Sequence, residues 1–339
     1  MEEQIDKLKS LIESSQKVLI TSHIGPDGDS VSSSLLLYQI LRLNFPNKAI
    51  TLSMEEAPFG LNFLEGYEQI QFQPLPAALK QASPELLFVL DANAWHRVTR
   101  SVEDTRQAIS ELHPKIVVID HHEGDDIEGS SLYINDKSPA ATLDIYSIFI
   151  EKMALAKPEG YAQTALTGIY TDSGGFVHQN FSIQRVFEVV PKLIAEGADL
   201  EIIVSNLNKI SEKGLEILKQ LYANTKLEDG YTYSFISDSL TTPDNHEAVV
   251  QATEAFRVQL LRNVEDRPWG FIVYRDVMAP ESTYSVSFRA LSGKKDVSLL
   301  ARALGGGGHK PAAGAKFAAQ SVEQALDMVK KAIEDTPTS

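Results

Sequence analysis

The sequence predicts an α/β protein. An N-terminal domain has a doubly wound, mostly parallel sheet, a helical connector follows, and a smaller C-terminal α/β domain carries a mixed sheet. Three observations carry this. Continuous runs of Val, Ile and Leu alternate with helical patterns through the first half, as parallel strands buried on both faces do. From residue 191 to about 228 the pattern is helical, interrupted at Gly197 and Gly214. Beyond it, strand-like and helical segments return in the order β-α-β-β-α-α, with a glycine run, "GGGGHK", among them.

In order, "KVLITS" leads through the turn "HIGPDGDS" into the helical stretch "SVSSSLLLYQILRL". The strands "KAITLSM", "ELLFVLD" and "KIVVID" follow, separated by amphipathic segments, and residues 1–190 are expected to form one domain. After the connector, residues 229–339 supply "YTYSFIS", a helix around 246–262, "WGFIVYRDV", "TYSVSFRAL", a helix from Asp296 and a last helix in "SVEQALDMVKKAIED".

Composition narrows the function. A hydrophobic fraction of 43% and a charged fraction of 23% are those of a globular protein. No apolar run approaches the ~20 residues of a membrane span, and the acidic, amphipathic start lacks a signal-peptide core, so the expected compartment is the cytoplasm. With no cysteine, disulfides and thiolate metal sites are excluded. Thirty-one basic residues against 46 acidic ones leave a formal net charge of −15, which opposes binding of long nucleic acid. A small anionic substrate remains compatible, because bound cations invert the local field.

In a parallel sheet, ligands gather beyond the carboxyl ends of the strands. His23, Asp27 and Asp29 follow "KVLI", Asp91 follows "LLFVL", and Asp120, His121 and His122 follow "KIVVI". Asp172, in "GIYTDSGGF", follows a further apolar segment beside two glycines. Taken singly, an Asp-Gly pair is a common turn and an aspartate after a strand is often a helix cap. Chance is a poor account of four such placements, all read at strand ends. Carboxylates and imidazoles without sulfur suit manganese or magnesium, with cobalt or zinc as alternatives, and the count is enough for two ions. Paired metals are a usual device for hydrolysing phosphate esters.

The same residues resemble a known family. "HIGPDGDS", "LDANAWHR", "IDHH" and "YTDSGGF" look like the four ordered motifs of the DHH phosphoesterase superfamily. "SFRA" followed by "GGGGHKPAAG" resembles its associated C-terminal substrate-binding domain. The two-domain length is most similar to the group of NanoRNases and 3′-phosphoadenosine 5′-phosphate phosphatases, with RecJ-type exonucleases more distant.

The resemblance implies that His23 and Asp27 bind one metal, that Asp29, His121 and Asp172 bind the other, and that Asp91 bridges both. It implies that His122 faces the substrate phosphate and that Asp120 orients the neighbouring imidazoles. Arg289 would grip a phosphate by its fork. Gly305, Gly306, Gly307 and Gly308 would let backbone N–H groups approach a nucleotide whose phosphate His309 bonds. Two departures stand out. Ser32 occupies a position where the family often has glycine, and Trp95 and His96 are bulkier than expected, able to reshape a cleft or stack on a base.

The expected activity is manganese-dependent hydrolysis of short oligonucleotides to 5′-mononucleotides by two-metal in-line attack of hydroxide, with 3′-phosphoadenosine 5′-phosphate as a further substrate. Arg289 and His309 would position the substrate across an interdomain cleft. The expected partners are short oligonucleotides or small phosphorylated nucleotides, not long nucleic acid or membrane, and a homodimer is compatible. The rivals are a cyclic dinucleotide phosphodiesterase, a pyrophosphatase-like enzyme and a non-catalytic nucleotide sensor.

Overall fold

The computed structural model describes residues 2–122, 124, 126–177, 183–279 and 282–336. It divides into two compact units, Met1–Leu207 and Asn208–Ser339, each built on a six-stranded sheet. Helices Ile183–Ala195 and Leu200–Leu207 fall in the first unit, and helix Glu212–Ala223 falls in the second.

In the first unit the strands are β1 (Lys17–Thr21), β2 (Ala49–Met54), β3 (Gln71–Phe72), β4 (Leu86–Leu90), β5 (Lys115–Ile119) and β6 (Leu132–Ile134). All pair in parallel, in the order β3-β2-β1-β4-β5-β6. The chain fills one side of β1 and then returns to fill the other, so the switch point lies between β1 and β4. Side chains alternate between two cores as the strand period requires. Val18, Ile20, Leu86, Phe88, Leu90, Val117 and Ile119 enter one, while Leu19, Leu87, Val89, Ile116 and Val118 enter the other. The sequence reading missed β3 and β6, which are too short to show an alternating pattern.

One helix contact positions the site. Helix Gly28–Asn44 packs on helix Tyr161–Asp172, and small residues meet there: Gly28 lies against Thr171 and Ser32 against Gly168. A Cβ on Gly28 would fall 2.3 Å from Thr171 Oγ1, and one on Gly168 would fall 2.8 Å from Ser32 Cβ. Ser32 therefore keeps the approach close because its partner on the facing helix is a glycine.

In the second unit the strands are β7 (Lys226–Glu228), β8 (Tyr231–Phe235), β9 (Trp269–Arg275), β10 (Thr283–Ala290), β11 (Gly307–His309) and β12 (Ala312–Ala318). Their order is β11-β12-β10-β9-β8-β7, mixed because β8 and β9 run parallel and the other pairs antiparallel. Tyr284, Val286, Phe288 and Ala290 of β10 pack into a core with Phe271, Ala313, Ala315 and Val329. Ser285, Ser287 and Arg289 occupy the opposite face. The sequence reading missed β7, β11 and β12. The stretch "AAGAKFA" has little intrinsic strand preference, and it is the seven-residue register with β10 that makes it a strand.

Gly28→Ala should cost about 1–3 kcal/mol, as overpacking does, because the new methyl group meets Thr171 at less than contact distance. Chemical denaturation of wild type and variant measures this. An unchanged midpoint would show that the two helices yield without cost.

Candidate metal centre and nucleotide-binding face

The turn behind β1 delivers His23 and Asp27 to the start of helix Gly28–Asn44. Asp27 caps that helix, its Oδ1 accepting from the backbone N–H groups of Asp29 at 3.1 Å and Ser30 at 3.0 Å. Capping does not remove it from the acid cluster, because the same Oδ1 lies 3.7 Å from His23 Nε2. Asp29, in the first turn, is buried and accepts from the N–H groups of Ala141 at 2.6 Å and Thr142 at 2.9 Å.

Asp91 follows β4 in the left-handed region, φ +57°, uncommon for any residue but glycine. The conformation is held by its N–H donating to Ile119 O on β5 at 3.0 Å. Its two carboxylate oxygens divide: Oδ2 faces His23 Nε2 at 3.4 Å and Oδ1 faces His121 Nε2 at 3.2 Å. His121 Nε2 also lies 3.8 Å from Asp29 Oδ2 and 3.7 Å from Asp172 Oδ2. Asp172 does not follow a strand, as the sequence reading had it; it is the last residue of helix Tyr161–Asp172. That helix is apolar enough to read as a buried strand, and its close packing on helix Gly28–Asn44 brings Asp172 to the sheet edge.

Three overlapping groups of three result among the described residues. His23, Asp27 and Asp91 can place ligand atoms within 4.8 Å of one another, so can Asp29, His121 and Asp172, and so can Asp91, His121 and His122, which join the first two through Asp91 and His121. Both imidazoles are oriented alike. His23 Nδ1 lies 3.0 Å from Ile24 O and His121 Nδ1 lies 3.2 Å from Ser138 O. A carbonyl accepts from each Nδ1–H, which leaves each Nε2 to the acids. Ser138 is itself fixed by donating to Asp144 Oδ2 at 2.8 Å, a contact with no signal in the sequence. Burial lifts the Asp144 carboxyl to about 7, against the hydrogen bond from Ser138.

The charge balance fits divalent cations. Asp27, Asp29, Asp91 and Asp172 carry four formal negative charges, which two divalent ions would neutralise, and the oxygen and imidazole donors suit hard or borderline metals. Without a cation, protons take up the imbalance. Burial opposes a charge on His23, but Asp27 and Asp91 outweigh it and raise its pKa to about 11. Burial opposes a charge on His121 too, and Asp91, Asp29 and Asp172 raise it to about 11. Burial and the charges of Asp91 and Asp172 push Asp29 well above the carboxylate range, and burial lifts Asp172 to about 7. Asp91 goes the other way: burial pushes it up, but hydrogen bonds from His121 and His23 hold it low.

His122 stands beside this cluster. Its Nδ1 lies 2.7 Å from Asp120 Oδ1 and 3.5 Å from Asp91 Oδ1. Arg97 Nη2 lies 3.2 Å from its Nε2, a neighbour that nothing in "LDANAWHR" singled out. Asp120 is fully buried, so it holds the imidazole from within the protein. Trp95 does not offer a face for stacking. It is 6% exposed, packs in the core and donates from Nε1 to Glu128 O at 3.3 Å. His96 is exposed and lines a cleft of about 440 Å³ with Asn93 and Arg106.

In the second unit, the residues singled out share one face of the sheet. The register aligns Arg289 with Ala312 and Ala312 with His309 across three strands. The neighbouring row is Ser287, Gly314 and Gly307. Small residues thus form a floor between Arg289 and His309, two strand spacings or about 10 Å apart. Gly306 and Gly308 are required by packing, since a Cβ would fall 2.1 Å from Gly314 O and 2.6 Å from Ala313 Cα respectively. Gly307 faces open space, and Gly305 takes the left-handed conformation that ends helix Val297–Ala303.

Two outcomes follow from this geometry. Asp91→Ala should keep the fold but lose tight manganese binding, since one carboxylate serves both groups; manganese affinity equal to the wild type would refute the shared role. A metal ligand must be a neutral imidazole, whereas His23 and His121 hold protons in the ion-free protein at neutral pH. Metal uptake should therefore release protons, and affinity should rise with pH. Calorimetry in buffers of different ionisation enthalpy measures the release; affinity flat between pH 6 and 8 would count against it.

The DHH family N-terminal domain matches residues 17–169, and the DHHA1 domain matches residues 229–335. The chain is 28% identical over 311 residues to the bifunctional oligoribonuclease and PAP phosphatase NrnA of Mycoplasma pneumoniae, covering 90% of this chain and 89% of that protein. It is 27% identical over 321 residues to the protein of the same name from Thermus thermophilus, covering 95% and 90%. Cyclic-di-AMP phosphodiesterase GdpP of Bacillus subtilis is 23% identical over 340 residues, which cover 97% of this chain but 49% of that protein. The fold is that of an exopolyphosphatase-related protein from Bacteroides fragilis, with a TM-score of 0.81 at 21% identity over 98% of this chain and 96% of that one. Order, spacing and both matches agree: the chain carries a DHH family N-terminal domain followed by a DHHA1 domain.

Proposed function

We propose that this protein is a manganese-dependent phosphoesterase that hydrolyses short oligonucleotides to 5′-mononucleotides and removes phosphate from 3′-phosphoadenosine 5′-phosphate. The observation that supports it most is the division of Asp91 between two ligand groups, 3.4 Å from His23 and 3.2 Å from His121. In this reading His23, Asp27 and Asp91 hold one divalent ion, and Asp29, His121, Asp172 and Asp91 hold the other. Bound there, the ions draw charge from the phosphoryl oxygens and acidify water.

The remaining work belongs to the chain. Asp120 fixes His122 through Nδ1, and Arg97 stands at its Nε2. Arg97, held beside the imidazole, presents positive charge and N–H donors to the phosphate, where charge builds in the transition state. Arg289 and His309, at opposite ends of a glycine- and alanine-lined floor, hold a nucleotide phosphate. In this reading the first unit would hold the ions and the second would supply grip.

A cyclic dinucleotide phosphodiesterase is the second reading, because the likeness to the GdpP of Bacillus subtilis spans both domains of this chain. Manganese-supplemented assays on a diribonucleotide, a cyclic dinucleotide and the bisphosphate separate the two. Cleavage of the cyclic compound alone would replace the first reading with the second.

Substrate length should matter because the chain carries a net charge of −15. Attraction for a polyanion is concentrated at a few residues, so phosphates beyond the first few nucleotides meet an acidic exterior. Catalytic efficiency should fall as RNA lengthens from two nucleotides to about ten, and more steeply at low ionic strength, where repulsion is less screened. kcat/KM over a ladder of labelled oligonucleotides at two salt concentrations tests this. Efficiency that climbs with length would indicate a nuclease that tracks long strands.

A further inference from the structure

Two further carboxylates stand at the edge of the first sheet, where negative charge is already in excess. Glu55 and Glu56 directly follow β2, and neither belongs to the groups of three that can hold an ion. Their hydrogen bonds go elsewhere. Glu55 Oε1 accepts from Leu75 N at 3.0 Å and Thr99 Oγ1 at 2.5 Å, and its Oε2 accepts from Arg100 N at 3.0 Å. Glu56 Oε1 accepts from Arg100 Nε at 2.8 Å and also from its Nη2. Glu56 Oε2 accepts from Gly25 N at 3.0 Å.

This last contact reaches the imidazole of His23 through a single peptide group. The amide that joins Ile24 to Gly25 has its N–H on Glu56 and its C=O on His23 Nδ1, 3.0 Å away. Turning the plane of that amide would draw the carbonyl away from Nδ1 and release the ring. Backbone preference does not fix the plane, because Gly25 sits at φ +64° and glycine takes either sign of φ with similar ease. Hydrogen bonds must fix it. Ile24 N donates to Arg97 O at 2.7 Å on one side of the plane, and Glu56 takes Gly25 N–H on the other. A carboxylate on an amide N–H also polarises the amide, making its C=O a stronger acceptor. Glu56 is held in turn by Arg100, whose backbone Glu55 ties down.

We propose that Glu56 is a positioning residue for His23: it fixes the Ile24–Gly25 peptide and thereby keeps Nε2 of the imidazole turned to Asp27 and Asp91. The inference rests on the reading of His23, Asp27 and Asp91 as ligands of one ion. It adds a residue outside the cluster and a difference between the two ions. His121 takes its orientation from Ser138 O, a carbonyl on another loop, so the ion at His121 should not depend on Glu56.

Two measurements on the full-length chain test this. In the ion-free protein, NMR follows the imidazole Nδ1–H protons, assigned by their loss in His23→Gln and His121→Gln. Glu56→Ala should move the His23 proton upfield and speed its exchange with water, leaving that of His121 in place. Manganese titration by calorimetry then reads the ions. Glu56→Ala should weaken one binding step by roughly 10–100-fold, the range for losing a group that orients a metal ligand, and leave the other nearly unchanged. Glu56→Gln, whose amide oxygen can still accept from Gly25 N–H, should lose less. Melting temperature should hardly move, because the pair is partly exposed, 32% for Glu56 and 65% for Arg100, and such pairs add little stability.

An unmoved His23 proton in Glu56→Ala would overturn the proposal. Equal losses at both ions, or equal losses in the Ala and Gln variants, would do the same, since either is the mark of a lost charge and not of a lost hydrogen bond. A large fall in melting temperature would assign Glu56 to the fold instead. A His23 proton that moves as described, in a chain that binds no manganese, would refute the ligand reading and leave the positioning role standing. Two manganese steps that Glu56→Ala leaves intact would refute the positioning role alone.

Discussion

Four carboxylates and two imidazoles crowd the switch point of the first sheet, and the repulsion among the acids is the constraint around which that unit is arranged. At an effective dielectric constant near 20, unit charges ~4 Å apart interact by roughly 4 kcal/mol, more than any single hydrogen bond returns. Every local device at this edge relieves negative charge. Asp27 spends its Oδ1 on the first N–H groups of helix Gly28–Asn44, and Asp29 takes the N–H groups of Ala141 and Thr142. Asp91 accepts a left-handed backbone to stand between two imidazoles. The residual imbalance appears as displaced proton affinities, upward on His23, His121, Asp29 and Asp172. A cluster that binds protons this firmly in place of cations is one built around positive charge.

Much of this was legible in the sequence because it lies at strand ends. The runs before His23, Asp91 and Asp120 are continuously apolar, so their strands and the residues behind them could be placed from pattern alone. Asp172 was legible as a member of the cluster and illegible in position, since a short buried helix and a buried strand share the same apolar composition. What brings it into reach is the small-residue contact through Gly28, Ser32 and Gly168, a tertiary fact. Arg97 and Asp144 were invisible for a related reason. Each acts through one atom of a neighbour, the imidazole of His122 or the hydroxyl of Ser138, and no spacing records such a contact.

The second unit shows the opposite balance. "GGGGHK" read, through the resemblance, as four equivalent glycines that let backbone N–H groups approach a nucleotide, and the sheet gives its members different tasks. Gly306 and Gly308 let β11 lie against β12, while Gly307 and the facing Gly314 leave a bare row beside Ser287. The alanines of β12 serve both faces in the same way: Ala313 and Ala315 fill the core beneath, and Ala312 keeps the space between Arg289 and His309 low. Low strand propensity here is the cost of a flat surface, offset by the long ladder to β10.

Placing the positive charge in this way explains how an acidic protein handles an anionic substrate. An overall basic surface would attract any polyanion, and selectivity for small ones would have to come from shape. Here the net charge is repulsive and positive charge is gathered locally, at Arg97 beside the acid and imidazole cluster in one unit and at the arginines around Ser287 in the other. Discrimination then follows from charge per phosphate and from the number of phosphates that fall outside these places. Each further internal diester adds one charge that finds no partner. Under the proposed function, the −15 of the chain, which opposes long nucleic acid, would set an upper limit on the length of its substrate.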